Sequence, residues 1–520
     1  MENQSHRKLA RQKDIWVLII STLIIWLIAA VSYTAQAQGH KSTTRIISKN
    51  GVSKYEIKID GIIKLTDDDS DLKSISPGGY FQVSKTTFGN KRKIIIERDG
   101  QGGISRKYYI GRKLYPFEPE GKEWLAEVLV DVVRSTGIDA ENRVDRIYSK
   151  GGVKGVLDEI DEITSNSVKG TYFRHLLNKP GLTDSNLIQI VDEIGSDISS
   201  NTTRGELLRK YEGLYFKKDE TATALLRNLA KLSSSTTRGS VLRSIMDRHD
   251  QLSDKTIIAI LGVTGKISSN TEVGSVLRRV NKNYKLNGQT ADAYFEVIDH
   301  LSSNTEAGRV LRDILSTQKL NTSSMVRVLE STGRLSSNTE MGSILRKFNR
   351  VYPPGNGDIA EAYFSTINRI SSNTERGTTL RDLISSQDLG SQDLVKLLNS
   401  AGRISSSSEL GSVLRRAIPE LTGDPAVSNS FFDTVGKLSS STEMGSVLRS
   451  AVAERGDKNT IIKVLKASEK LTSNTEAGSV IYKVASVMPK SDPQVIEAYK
   501  SAASKLTSDS EYRRVMSAID

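Results

Sequence analysis

Hydrophobic positions follow three different rhythms along this chain. From Ile15 to Val31 they are nearly continuous, broken by Ser21 and Thr22 alone. Between residues 43 and 117 they alternate. Tyr55, Ile57 and Ile59 are interleaved with Glu56, Lys58 and Asp60, and Ile94–Ile96 and Tyr108–Ile110 read as further strands. Asn50-Gly51, Asp60-Gly61, Pro77-Gly78-Gly79, Gly89-Asn90 and Asp99-Gly100 mark turns between them, and the pattern predicts an antiparallel β module of five to seven strands. From Gly121 onward the spacing is helical, with Trp124, Leu125, Val128, Leu129, Val132 and Val133 on one face.

The helical part repeats. An aliphatic followed by two small polar residues recurs at Ile163, Ile198, Leu232, Ile267, Leu301, Leu335, Ile370, Ile404, Leu438, Leu471 and Leu506, at intervals of 33 to 35 residues. Eleven copies at this period predict an α-α solenoid of two-helix units. The second residue after the aliphatic is always serine, and in the last eight copies glutamate follows three residues later, as in Ser303 and Glu306. This is the capping-box pattern: serine accepts from the amide of the third helical residue, and glutamate reaches back to the serine amide. Ten copies then carry glycine five residues past the cap, among them Gly342 and Gly377. Glycine costs a helix about 1 kcal/mol relative to alanine, so the pattern predicts a neighbouring helix too close for a methyl group.

Four residues after the glycine stands arginine: Arg174, Arg209, Arg243, Arg278, Arg312, Arg346, Arg381, Arg415 and Arg449. The last seven form the candidate interaction ladder. Two uses fit it, a cationic groove for an anionic peptide, glycan or lipid head group, or inter-repeat pairing with a carboxylate or helix-end carbonyl next door. Strict repetition and balanced charge favour pairing.

Charge and chemistry narrow the picture. The net charge of +12 is concentrated ahead of the repeats: residues 38–118 hold 16 basic against nine acidic side chains. The balanced repeats are therefore expected to exclude nucleic acid as a partner. There is no cysteine, so disulfides, thiolate metal sites and cysteine nucleophiles are excluded. The five histidines form no His-Glu-x-x-His pair, and Ser316-Thr-Gln-Lys319 matches Ser-x-x-Lys without its companion motifs. No catalytic, cofactor or metal residue is predicted, and no enzyme. Asp67, Asp69 and Asp71 have the opening spacing of a calcium loop, but Gly78 falls where its bidentate glutamate belongs. A solvated turn is the favoured reading.

Arg7, Lys8, Arg11 and Lys13 precede the apolar run, and Ala35-Gln36-Ala37 follows it. Basic residues before an apolar segment keep that side cytoplasmic. The expectation is export to the periplasm or cell envelope, by cleavage after Ala37 or with residues 15–35 kept as an anchor that touches the membrane.

Several stretches resemble a known but uncharacterised bacterial region. They are Asp60-Gly-Ile-Ile-Lys-Leu-Thr-Asp-Asp-Asp, Ile75-Ser-Pro-Gly-Gly-Tyr80, Arg106-Lys-Tyr-Tyr, Pro116-Phe-Glu-Pro-Glu-Gly-Lys-Glu-Trp-Leu125, Gly151-Gly-Val-Lys-Gly-Val-Leu157 and the Ile-Ser-Ser repeats. The region they resemble stands alone behind one membrane segment, or follows the membrane domain of antirepressor-type (β-lactam-sensor-like) metallopeptidases. The resemblance implies a sensing or scaffolding module outside the cytoplasm. The peptidase domain and its metal motif are missing here, so proteolysis does not carry over. The repeats read Asn-Thr-Glu where the resemblance leads one to expect Asp-Tyr-Glu.

The expected organisation is thus α+β and mainly α: a signal peptide or anchor over 1–37, a β module over 40–118, a helical connector over 119–162 and the solenoid over 163–520. The expected function is non-enzymatic binding or scaffolding in the envelope, with a protein partner. The alternative is a sensory or regulatory ectodomain acting with a membrane peptidase or signalling protein.

Overall fold

The computed structural model describes residues 43–49 and 53–519 apart from residue 422. The apolar run 15–31 and the expected cleavage site after Ala37 lie outside the described residues. Among the described residues, no helix is long and apolar enough to cross a membrane. Among the described residues, eight strands precede 23 α-helices, the α+β, mainly helical architecture that the periodicity predicts. The chain divides into two compact units between Tyr215 and Phe216.

In the first unit, strands β1 (Thr43–Lys49), β2 (Ser53–Asp60), β5 (Tyr80–Thr87), β6 (Asn90–Arg98), β7 (Ile104–Ile110) and β8 (Lys113–Tyr115) form one antiparallel sheet in that order. The hairpin of β3 (Ile63–Leu65) and β4 (Leu72–Ile75) pairs separately. Alternation does what it should: Tyr55, Ile57, Ile59, Phe81, Val83, Ile94, Ile96 and Tyr108 are buried. The helix Lys122–Thr136 covers that face with Trp124, Leu125, Val128, Leu129, Val132 and Val133, so sheet and helix share one core.

The acidic turn between β3 and β4 departs in part from the solvated-turn reading. Asp69, in the left-handed region at φ 58, accepts from Arg143 Nε at 2.7 Å and Arg146 Nη2 at 2.5 Å. Asp71 pairs with Arg106 at 2.8 Å. Asp67 and Asp68 stay exposed, and the Thr66 and Ser70 hydroxyls that donate to Asp68 hold its carboxyl down at about 2. The solvated-turn reading thus holds for Asp67 and Asp68 but not for Asp69 and Asp71, whose carboxylates are committed to arginines. These two fasten the β3–β4 hairpin to β7 and to the helix Ala140–Asp161.

The second unit is a stack of two-helix repeats. In each, a first helix such as Asn304–Thr317 is followed by a second such as Thr322–Gly333. First helices pack on the first helices of the next repeat, and second on second. The serine caps form as expected: Ser303, Ser337, Ser372, Ser406, Ser440 and Ser473 each accept from the amide of the glutamate three residues on.

Candidate functional site

The reciprocal half of the capping box is missing, and the glutamates show why. Each is turned away from its own helix start and into the preceding repeat. Arg278 meets Glu306 at 3.2 Å, Arg312 meets Glu340 at 2.6 Å, and Arg346 meets Glu375 at 2.8 Å. Arg381 meets Glu409 and Arg415 meets Glu443, both at 2.9 Å, and Arg449 meets Glu476 at 2.7 Å. Arg243 pairs likewise with Glu272. All seven candidate ladder arginines are therefore brought into one line, each bonded across one repeat boundary. Their side chains stay 24–34% exposed. An anion arriving at this line has to compete with a carboxylate already in contact.

The glycines belong to the same arrangement. A Cβ on Gly377 would stand 2.7 Å from Glu409 Oε2 and 3.2 Å from Arg381 Nη1. On Gly411 or Gly445 it would stand 2.5 Å from the next repeat's carboxylate oxygen. What comes too close is this side chain rather than a neighbouring helix backbone, which corrects the sequence reading. Glycine opens the space into which the glutamate is laid, and the arginine one turn on closes over it.

The line has ends. In the first unit Thr203 occupies the glutamate position, and Arg174 bonds back to Gly170 O at 3.0 Å. Near the C-terminus Tyr482 replaces the arginine. Glu511 turns to Arg514 of its own helix at 2.5 Å, and that guanidinium lies over the Tyr482 ring at 5.4 Å.

A second line runs beside the first and was missed in the sequence. Asn338 accepts from Ser371 N at 2.8 Å and donates to Ser371 Oγ at 3.0 Å. Asn304 does the same to Ser336, Asn373 to Ser405 and Asn474 to Thr507. Where Ser407 stands in place of asparagine, its hydroxyl accepts from Ser439 N at 3.2 Å. The signal was present as the recurring Ser-Ser-Asn, but a residue just inside a helix start attracts no notice.

Also missed were three buried arginines ahead of the glycine. Arg376 donates to Asn368 O at 3.1 Å, Arg403 O at 3.0 Å and Ile370 O. Arg238 and Arg204 make the same kind of bond to Leu232 O and Ile198 O. Cations suit the negative carbonyl end of a helix, while burial draws all three below the usual arginine range.

Among the described residues, no catalytic arrangement assembles from those weighed above. Ser316 Oγ donates into its own helix, to Arg312 O at 2.9 Å. His300 Nδ1 lies 2.7 Å from Glu296 O, and His249 stacks on Phe216. Among the described residues, only Asp161, Glu193 and Asp197 bring three potential metal-binding atoms within 4.8 Å of one another. Lys169 already pairs with Asp197 at 3.2 Å.

The hydrogen bond to Asp197 pushes the Asp161 carboxyl up to about 6. A carboxyl raised above its unfolded value is protonated in the folded state where the unfolded chain is not. Its contribution to stability is therefore present below about 4 and is lost as pH climbs through 6. Asp161→Asn should thus stabilise the first unit at pH 8 relative to pH 5, by less than about 1 kcal/mol at so exposed a site. Thermal melts at the two pH values check this, and equal shifts at both would contradict it.

No family model matches the chain, and no curated protein matches it. Solved structures do. A homology model of the full-length AP-3 complex in an intermediate open conformation aligns over 77% of this chain and 91% of its own, at 10% identity and a TM-score of 0.27. Yeast Rmd9p, solved in complex with a 16-nucleotide target RNA, aligns over 78% and 93%, at 13% identity and a TM-score of 0.24. The likeness is one of helical-repeat architecture. One expectation is corrected: Rmd9p is solved with RNA bound, and the exclusion of nucleic acid expected from the balanced charge of the repeats does not stand. Net charge summed over an array says nothing about local lines of cations.

Proposed function

We propose that this is a binding or scaffolding protein of the bacterial envelope, held outside the cytoplasm, whose stacked repeats take a protein partner. A helical-repeat solenoid is suited to binding and scaffolding in general, because stacking creates a long surface rather than an enclosed pocket. The observation that carries the reading is the double line of inter-repeat bonds, arginine to glutamate and asparagine to serine. It fixes successive repeats of the second unit in one register, so that exposed residues recur at constant spacing. The basic cluster ahead of residues 15–31 supports export. The resemblance to regions that accompany membrane peptidases supports a partner in the membrane.

Two measurements test this together. A reporter fused after Asp520 should be active only outside the cytoplasm. Photo-crosslinkers at Ser365 and Asn399, exposed on second helices of adjacent repeats, should give discrete protein adducts in the envelope. One dominant membrane protein would point to regulation, and several envelope proteins to scaffolding. Reporter activity inside the cell, or adducts with RNA alone, would refute the proposal.

A further inference from the structure

The β module carries a feature that its fold does not require. The two-residue turn joining β5 to β6 is Phe88-Gly89, flanked by the pair Thr87 and Asn90. Both turn residues lie in the left-handed region, at φ 46 and 82. A tight hairpin of this type wants asparagine, aspartate or glycine at its first position. A bulky side chain there is a conformational outlier. Phe88 is also 83% exposed, the most exposed large hydrophobic among the described residues. It gains nothing from packing and opposes its own turn.

Cations surround it. The stretch 85–93 contains Lys85, Lys91, Arg92 and Lys93 and no acidic residue, and the β7–β8 turn beside it adds Arg112 and Lys113. Carboxylates reach part of this set: Arg92 faces Glu120 at 3.5 Å and Lys85 faces Glu127 at 3.9 Å. Lys93 lies over Tyr109, and Lys113 over Tyr115. Lys91 and Arg112 form no close ion pair among the described residues, although Lys91 lies near enough to Glu56 to help draw its carboxyl down. They line, with Arg92, a cleft of about 580 Å³ between the two turns, whose other lining residues are Gly89, Asn90, Ile110 and Gly111. On β8 Leu114 is 59% exposed.

The geometry points to this edge of the β module as a docking surface for an anionic lipid bilayer, with Phe88 entering the interface and Lys91, Arg92 and Arg112 meeting lipid phosphates. An apolar tip inside a cationic collar is the combination that binds bilayer surfaces: burial of apolar area adds to attraction for anionic head groups. Single-stranded nucleic acid instead asks for successive stacking rings. Phe88 stands alone at its tip, while Tyr55, Tyr109 and Tyr115 of the sheet are already under Lys85, Lys93 and Lys113. The inference is independent of what the repeats hold.

Because the chain has no cysteine, one label reports on one place. The full chain with Asn90→Cys, carrying a polarity-sensitive fluorophore, is mixed with vesicles of equal parts phosphatidylglycerol and phosphatidylcholine. A blue shift is expected, absent with phosphatidylcholine alone and reversed by salt. A label at Gln101→Cys, on the opposite turn of the sheet, should stay silent. Reversing Lys91 and Arg112 to glutamate should weaken the response at least about thirtyfold, since each basic residue contributes about fivefold. Phe88→Asn is the decisive variant. It restores the favoured Asn-Gly pair, so the module should melt no lower than the parent while the vesicle response is lost. A response retained in Phe88→Asn, one equal with the neutral vesicles, or one elicited by an RNA oligonucleotide and not by vesicles would overturn the proposal.

Discussion

Arg143→Ala should lower the stability of the first unit by about 3–5 kcal/mol. The Arg143 side chain is 7% exposed and lies between two carboxylates, Asp69 at 2.7 Å and Glu159 at 2.6 Å, with the Tyr172 hydroxyl at 3.1 Å. Removing it leaves two buried anions facing each other across a cavity. Arg146 still holds Asp69, and Arg134 still holds Glu159 at 2.9 Å, which places the loss at the lower end of that range. Arg143→Lys should recover little, because one ammonium cannot bridge both acids as a planar fork does. Trp124, in the core shared by sheet and helix, reports the transition during denaturant unfolding. A midpoint unchanged in Arg143→Ala would show that the acidic turn is not what fastens hairpin to helix.

The second large effect concerns the glycines, and its sign depends on the partner. Gly377→Ala should cost about 1–3 kcal/mol by forcing Glu409 off Arg381, although alanine is by itself the better helix residue by about 1 kcal/mol. Glu409→Ala alone should also destabilise, since it leaves a partly buried guanidinium without its acceptor. Combined, the two changes should cost less than their sum, because the space needed by the new methyl is the space the carboxylate vacates. This coupling, about 1 kcal/mol or more, is readable from a double-mutant cycle in denaturant. Strict additivity would mean that the glycine answers to backbone proximity after all.

These tests bear on what the sequence could and could not reveal. The repeat, its period, its caps and its glycines were legible because each recurs, and recurrence survives projection onto one dimension. The destination of a side chain does not survive it. Glu306 stands three residues after Ser303, a spacing that satisfies a local box and an inter-repeat pair equally well, and only the stacked neighbour decides. The asparagine line was hidden for the same reason, since Asn338 and Ser371 are bonded at a distance of nearly one full repeat. Arg238 and Arg376 were hidden by variation: at that position other repeats carry Val273, Ala307 or Met341, so no pattern pointed to a carbonyl site. In the β module, alternation located the buried strands, but Asp69 and Arg143 lie far apart in the chain, and nothing local joins them.

The bonding between repeats has a sense of direction. Each of the seven ladder arginines gives forward and its glutamate receives from behind, so these boundaries are completed by residues drawn from two consecutive copies and never from one. Such an array behaves like a sentence built from one clause with a fixed word order. Whole clauses can be added or struck out at the period of 33 to 35 residues while every junction still parses, whereas a deletion of half a unit leaves a donor facing a donor. Reversal is forbidden too: a repeat cannot be read backwards, and the two extremities of the row are chemically unlike. Tyr482 with Arg514 is then the full stop. It supplies no forward cation, and it turns the last glutamate home.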